Sequence, residues 1–309
     1  MNRIVTVVAV TAAALSLAAC GSDSSSWGGI EVEFETADSA PGWSPDGRLI
    51  AFASNRDGGG IFVIRPDGTG IRRVTATKGK APDWSPDGKE LAFEAPDGVR
   101  LVSPTGERER LLIPVKSRGE RSLAPAWSPD GKQIAFVRRV SDGSDVVFVV
   151  RPGGGPARRL LEPALDPDDP TWSAFAASEL TPAWSPDGKR IAYGNGDGEL
   201  YVATIAGGPR ELLATEGAAY EPAWSPDGKE LAFQCAGSLC VLDLATRALT
   251  TLLGDAGSPN WASDGTKVVV ERYLYGSGNA ISSPMALYIV PTDESGAEVL
   301  TFGPGETDK

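Results

Sequence analysis

None of the 309 residues is a histidine, and this absence removes most of the catalytic repertoire. Without imidazole there is no Ser-His-Asp or Cys-His nucleophile, no histidine general base, and no His-ligated zinc, manganese or copper. No Gly-x-Ser-x-Gly elbow occurs either. What remains is carboxylate chemistry, for which two acids suffice in glycosidases, and the chain carries 41 Asp and Glu residues. Nothing in their spacing singles out a pair. We therefore expect a non-catalytic binding module without a cofactor. A carbohydrate-active hydrolase with paired carboxylates in a central channel is the alternative, and a structural envelope spacer is a third reading.

The residues best suited to recognition stand in two irregular segments. Asp166, Asp168 and Asp169 are interrupted by prolines and followed by Trp172, while Tyr273 and Tyr275 precede a Gly-Ser-Gly-Asn run. Acids with aromatics suit an envelope protein, a basic peptide or a glycan. The acids lack the D-x-D-x-D-G order of a calcium loop, so no metal is expected there.

These segments are departures from a repeat. Six times the chain spells nearly one phrase: PGWSPDG, PDWSPDG, PAWSPDG three times, and PNWASDG. From Trp43 through Trp84, Trp127, Trp184, Trp224 and Trp261 the steps are 41, 43, 57, 40 and 37 residues, the length of a four-stranded propeller blade. Ser-Pro-Asp-Gly is hairpin chemistry: Pro sets φ, Asp bonds back to the turn, and Gly takes positive φ. A strand such as Leu91-Ala92-Phe93 follows each phrase, then an apolar third strand such as Ile61 to Ile64, then a polar fourth such as Arg72-Arg73-Val74-Thr75. The fold class expected is all-β, a six-bladed β-propeller of four-stranded antiparallel blades.

The repeat tryptophans and turn aspartates belong to that framework, as packing and turn residues. The long step from Trp127 to Trp184 places Asp166 to Trp172 in a loop after a fourth strand, and Tyr273 and Tyr275 fall between a second and a third strand. Antiparallel geometry sends both to the face opposite the Ser-Pro-Asp-Gly turns, the expected binding face. Ring closure is open: Ile30 to Phe34 and Glu298 to Thr301 both suit a fourth-strand position.

The phrase P-x-W-S-P-D-G-K-x-I-A-F, with its following strands, resembles the WD-like propeller repeat of the TolB family, over about Ile30 to Phe302. The resemblance implies a propeller that docks proteins in the cell envelope. TolB carries an α/β domain ahead of its propeller, and only about twenty residues separate Cys20 from the first repeat, so that domain is expected to be missing.

The termini supply an address. Residues 1–19 hold one charge, Arg3, and an apolar run ending in Leu17-Ala18-Ala19-Cys20, which is similar to a lipoprotein signal peptide and lipobox. Cys20 is the expected lipidation site and membrane tether, residues 20–29 a Ser/Gly linker, 30–303 the propeller and 304–309 a disordered tail. The net charge of −12, one unit more negative without Arg3, argues against nucleic acid. In an extracytoplasmic setting Cys235 and Cys240, flanking a short loop, are expected to form a disulfide.

Overall fold

The computed structural model describes residues 37–115, 121–139, 145–160, 180–194, 198–207, 209–214, 219–273, 285–293 and 296–301. The first blade comprises β1 (Asp38–Trp43), β2 (Ile50–Ser54), β3 (Gly60–Ile64) and β4 (Arg72–Arg73). The second comprises β5 (Lys80–Trp84), β6 (Leu91–Ala95), β7 (Gly98–Val102) and β8 (Arg110–Pro114). The third has β9 (Arg121–Trp127), β10 (Ile134–Arg139), β11 (Asp145–Val150) and β12 (Arg158–Arg159). The fourth has β13 (Ala183–Trp184), β14 (Arg190–Gly194), β15 (Leu200–Thr204) and β16 (Glu211–Ala214). The fifth has β17 (Tyr220–Trp224), β18 (Glu230–Cys235), β19 (Ser238–Asp243) and β20 (Leu249–Leu253). The sixth has β21 (Ala256–Trp261), β22 (Lys267–Tyr273), β23 (Met285–Pro291) and β24 (Glu298–Val299). Each set forms one antiparallel sheet in sequential order, giving the six-bladed propeller that the repeat implies.

The β24 strand pairs with β23, so Glu298 and Val299 hold the fourth place in blade six. Ile30 to Phe34 lie outside the described residues. Blades six and one then meet directly: Val269, Leu287, Ile289 and Leu300 pack against Ile50, Phe52, Phe62 and Ile64. The same construction recurs around the ring, one apolar cluster per seam, with Phe93, Phe136 and Phe233 buried in equivalent places. Burying one such ring contributes about 3 kcal/mol.

The phrase itself makes two kinds of contact. In the turns, the Ser44 hydroxyl donates to Asp46 at 2.7 Å and accepts from the Leu49 amide at 2.9 Å, while Gly47 takes φ +69°. Ser85, Ser128, Ser185 and Ser225 repeat this arrangement. In the sixth turn Ala262 stands in place of Ser, and Thr266 bonds Asp264 instead. At the seams, the indole N–H groups of Trp84, Trp184, Trp224 and Trp261 donate to backbone carbonyls of Gly42, Ala126, Ala183 and Ala223 in the preceding blade, at 2.9 to 3.2 Å. The tryptophans thus pack and bond one blade to the next.

Candidate functional site

The innermost strands β1, β5, β9, β17 and β21 share an unusual backbone. Ala40, Ala81, Ala124, Glu221 and Ser258 each precede a proline and each have φ between +45° and +54°. Proline disfavours the helical region for the residue before it, and left-handed geometry is costly with a side chain. Here it coincides with a register shift in each of the five strands. The bulge frees an amide from the ladder, and a side chain of a neighbouring blade takes it up in three documented cases. Ala40 N donates to Glu271 Oε2 at 2.8 Å and Ser258 N to Glu221 Oε2 at 2.7 Å, while the Ala124 amide bonds Glu94.

Glu94 and Glu271 occupy the same place in their blades, ten residues after the repeat tryptophan and opposite the residue that precedes the left-handed one: Lys80 pairs with Glu94 and Gly257 with Glu271. Burial pushes the Glu94 carboxyl up, opposed by the charges of Lys80 and Arg121. At the seam between blades four and five the equivalent residue is Gly194, where a Cβ would sit 2.3 Å from the Ala219 carbonyl oxygen. At the seam between blades one and two it is Ala53, opposite Ser39.

A second set of side chains crosses the seams through the P-x-W position. Asp83 Oδ2 accepts from the Trp127 amide at 2.6 Å, and Asn260 Oδ1 accepts from the Trp43 amide at 2.9 Å. At these two seams the indole N–H of Trp127 and of Trp43 is buried with no partner among the described residues. Asp83 touches the channel yet is surrounded by protein, and burial pushes its carboxyl up to about 7, against the pull of the Trp127 and Trp84 amides. The channel that these inner strands enclose measures about 320 Å³ and is lined by Pro82, Asp83, Thr181, Glu221 and Asn260 among others.

A larger cavity, about 640 Å³, opens on the face opposite the Ser-Pro-Asp-Gly turns, between blades one and two. Ala53, Asn55, Gly59, Lys78, Lys80 and Glu94 line it. Gly58 and Gly59 line it at φ +83° and +89°, a path that glycine permits, and Asp57 before them is also left-handed at φ +50°. Arg73 holds this loop by donating to the carbonyls of Asp57 at 2.9 Å and Gly59 at 2.6 Å. Arg56 pairs with the buried Asp38 on the other side, at 2.5 Å. Burial raises the Asp38 carboxyl, and the Arg56 charge opposes that rise. The cleft wall is therefore fastened by two arginines.

Of the recognition residues expected from sequence, Asp166, Asp168, Asp169, Trp172 and Tyr275 lie outside the described residues, as does Cys20. Tyr273 ends β22 on the face opposite the turns, its backbone paired with Met285. Cys235 and Cys240 are joined across the β18–β19 hairpin with Cα atoms 5.8 Å apart. Sequence reading missed Ala53, Asp83, Glu94, Glu221, Asn260 and Glu271. The signal was present in the residue that follows the apolar triplet of each second strand: Ala53, Glu94, Val137, Gly194, Gln234 and Glu271 differ widely in polarity, whereas the triplets before them, I-A-F, L-A-F, I-A-F, I-A-Y, L-A-F and V-V-V, are all apolar.

Fold, seams and turn chemistry define this protein as a six-bladed β-propeller with a TolB-like repeat. Residues 174–307 match the family model described as PD40, TolB beta propeller domain. The Tol-Pal system protein TolB of Syntrophus aciditrophicus is 50% identical over 38 residues, which is 12% of this chain and 8% of that protein. A putative TolB from Agrobacterium tumefaciens superimposes with a TM-score of 0.60 at 22% identity, covering 76% of this chain and 86% of that one. An oligogalacturonate lyase from Vibrio parahaemolyticus gives a TM-score of 0.58 at 13% identity, covering 86% of this chain and 78% of that one. At such identities the two structures share a fold with this chain, and the fold serves both a TolB and an enzyme.

Proposed function

We propose that this protein is an extracytoplasmic, lipid-anchored scaffold that binds a protein partner on the face opposite the Ser-Pro-Asp-Gly turns. The observation that carries this reading is the cleft of about 640 Å³ on that face, whose glycine loop is held in place by Arg73. A pre-formed concavity with fixed walls limits the ordering cost of association. The Tol-Pal relative supports an envelope role, and the lipobox at Cys20 supplies the anchor. Asp166, Asp168, Asp169, Trp172, Tyr273 and Tyr275 would extend the docking face.

The carboxylates of the channel and of the seams favour this scaffold over a hydrolase. Asp83, Glu94, Glu221 and Glu271 each accept from a backbone amide of the next blade. An acid committed to a seam in this way serves the fold, whereas a glycosidase pair must address substrate and water.

Photocrosslinking in the protein's own cells tests the reading. A p-benzoylphenylalanine placed at Asn55 or Lys78 should capture one envelope protein, and the same group at Lys89 or Lys132 on the turn face should not. Equal capture from both faces, or capture from the turn face alone, overturns the docking face. Cys20→Ala should move the protein from the membrane to the soluble fraction, and retention at the membrane would remove the anchor.

A further inference from the structure

The net charge of −12 is unevenly spread along the chain. Residues 37–160, which build blades one to three, hold 20 Lys and Arg against 15 Asp and Glu, whereas residues 161–309 hold 8 against 22. Such an asymmetry between halves points to a charged partner on one side. Much of the basic excess stands at one rim. The connections β3–β4, β7–β8 and β11–β12 lie on the Ser-Pro-Asp-Gly turn face by antiparallel alternation. They and the strand ends beside them carry Arg65, Arg72, Arg108, Arg151 and Arg158, all exposed and none in an ion pair among the described residues. Asp67 and Glu107 are the acids in the same connections, and the nearby turn lysines Lys89 and Lys132 are already paired with Asp87 and Asp130. Arg110 ties blade two to blade three at this rim, donating to the Pro152 carbonyl and to Glu90, both at 3.0 Å.

Large apolar side chains are exposed among these arginines. Ile71 is 44% exposed beside Arg72, and Leu111 is 41% exposed beside Arg110. In the outer strands of blades four and six the exposed Leu212 and Val299 follow Glu211 and Glu298 instead. An apolar side chain flanked by cations suits the boundary between headgroups and acyl chains, whereas a soluble polyanion offers it nothing to enter. We infer that the outer rim of blades one to three, on the turn face, rests on an anionic lipid surface. Ile71 and Leu111 enter the headgroup layer, and Arg65, Arg72, Arg108, Arg151 and Arg158 pair with lipid phosphates, whose geometry a guanidinium matches. Each arginine near such a surface raises partitioning about fivefold. The acid-rich half is repelled by the same lipid, which sets the side of the ring that turns to the bilayer. This rim is separate from the docking face and needs no protein partner, and its contact with lipid leaves the opposite face turned to the aqueous phase.

The test compares two rims of one molecule. Full-length protein reconstituted in vesicles carries a fluorescent amino acid in place of Ile71, of Leu111 or, as the control, of Leu249, which is 45% exposed in the outer strand of blade five. In vesicles of equal parts phosphatidylcholine and phosphatidylglycerol, nitroxide-labelled lipid should quench the probe at positions 71 and 111 severalfold more than at 249. In phosphatidylcholine alone that contrast should fall by at least half. Arg72→Glu, Arg108→Glu and Arg151→Glu together should abolish it, and if that variant fails to fold, Arg72→Gln, Arg108→Gln and Arg151→Gln together should reduce it severalfold. Equal quenching at the two rims, an undiminished contrast without phosphatidylglycerol, or a contrast that survives loss of the three arginines overturns the inference. So does a contrast that disappears when each vesicle carries at most one protein, which would assign the basic rim to the acidic half of a second copy. Because both rims belong to the same molecule, the readout does not depend on whether Cys20 is lipidated.

Discussion

The turn face and the channel wall use aspartate in opposite ways. At the turns, the Ser85 hydroxyl, the Lys89 side chain and the Lys89 amide hold the Asp87 carboxyl down to about 2. Along the channel, burial pushes Asp83 up to about 7. The residues stand four apart in one phrase, so sequence neighbourhood does not decide their chemistry. What decides is whether the carboxyl stands in water with donors or among protein atoms with few. The phrase therefore carries one acid that strengthens the fold when ionised and another that weakens it.

The largest effect should come from the closing seam between blades six and one. Glu271 is 7% exposed and takes the Ala40 amide. Glu271→Ala strands that amide at the closing seam and should cost about 1 to 3 kcal/mol, read as a lower urea midpoint. Glu94→Ala should cost less, because Glu94 is more accessible. If both variants unfold at the wild-type midpoint, the seam carboxylates do not hold the blades together.

Asp83→Asn sharpens the comparison, because the chain already contains its control. Asn260 makes the same bond to Trp43 that Asp83 makes to Trp127, without a titrating group. The folded protein holds the Asp83 proton up to about pH 7, whereas the unfolded chain releases it near the ordinary value of 3.8. Its contribution is then present in full below about pH 4 and is lost as pH rises through 7. Allowing for contact with channel solvent, we expect on the order of 2 kcal/mol across that window. Asp83→Asn should remove this slope and raise the urea midpoint at pH 8, and Asn260→Asp should add a second slope of the same sign. An unchanged slope in Asp83→Asn would place the titration elsewhere.

The sequence exposes most of this architecture because each blade repeats one local solution. Trp43 and its five counterparts mark the seams, and Asp46 and its counterparts mark the turns. The closure by Glu298 and Val299 could not be read, because Ile30 to Phe34 offers an equally good strand pattern and only pairing decides. The seam acids were legible in principle but hidden by the success of the repeat. Glu94 and Glu271 look like solvated polar ends of strands until the bulges at Ala124 and Ala40 show which amides they meet. The cleft was less visible still, for its lining comes from the loop after β2 and the segment leading into β5, which lie outside the repeated phrase.

The smallest effect belongs to the turn face and has the opposite sign. The Asp87 carboxyl accepts from the Ser85 hydroxyl at 2.8 Å and the Lys89 amide at 3.1 Å, and it is depressed from an ordinary value of 3.8. Its contribution is present above about pH 4 and lost as pH falls toward 2. Asp87→Ala should lower stability at pH 7 by about 1 kcal/mol, and the deficit should vanish near pH 2, where wild type has lost the same bonds. Ser85→Ala should reproduce much of that loss, since the hydroxyl also accepts from the Glu90 amide at 2.9 Å. A deficit that persists unchanged to pH 2 would assign the effect of Asp87 to turn geometry rather than to its charge. The turn and channel aspartates would then no longer form an opposed pair.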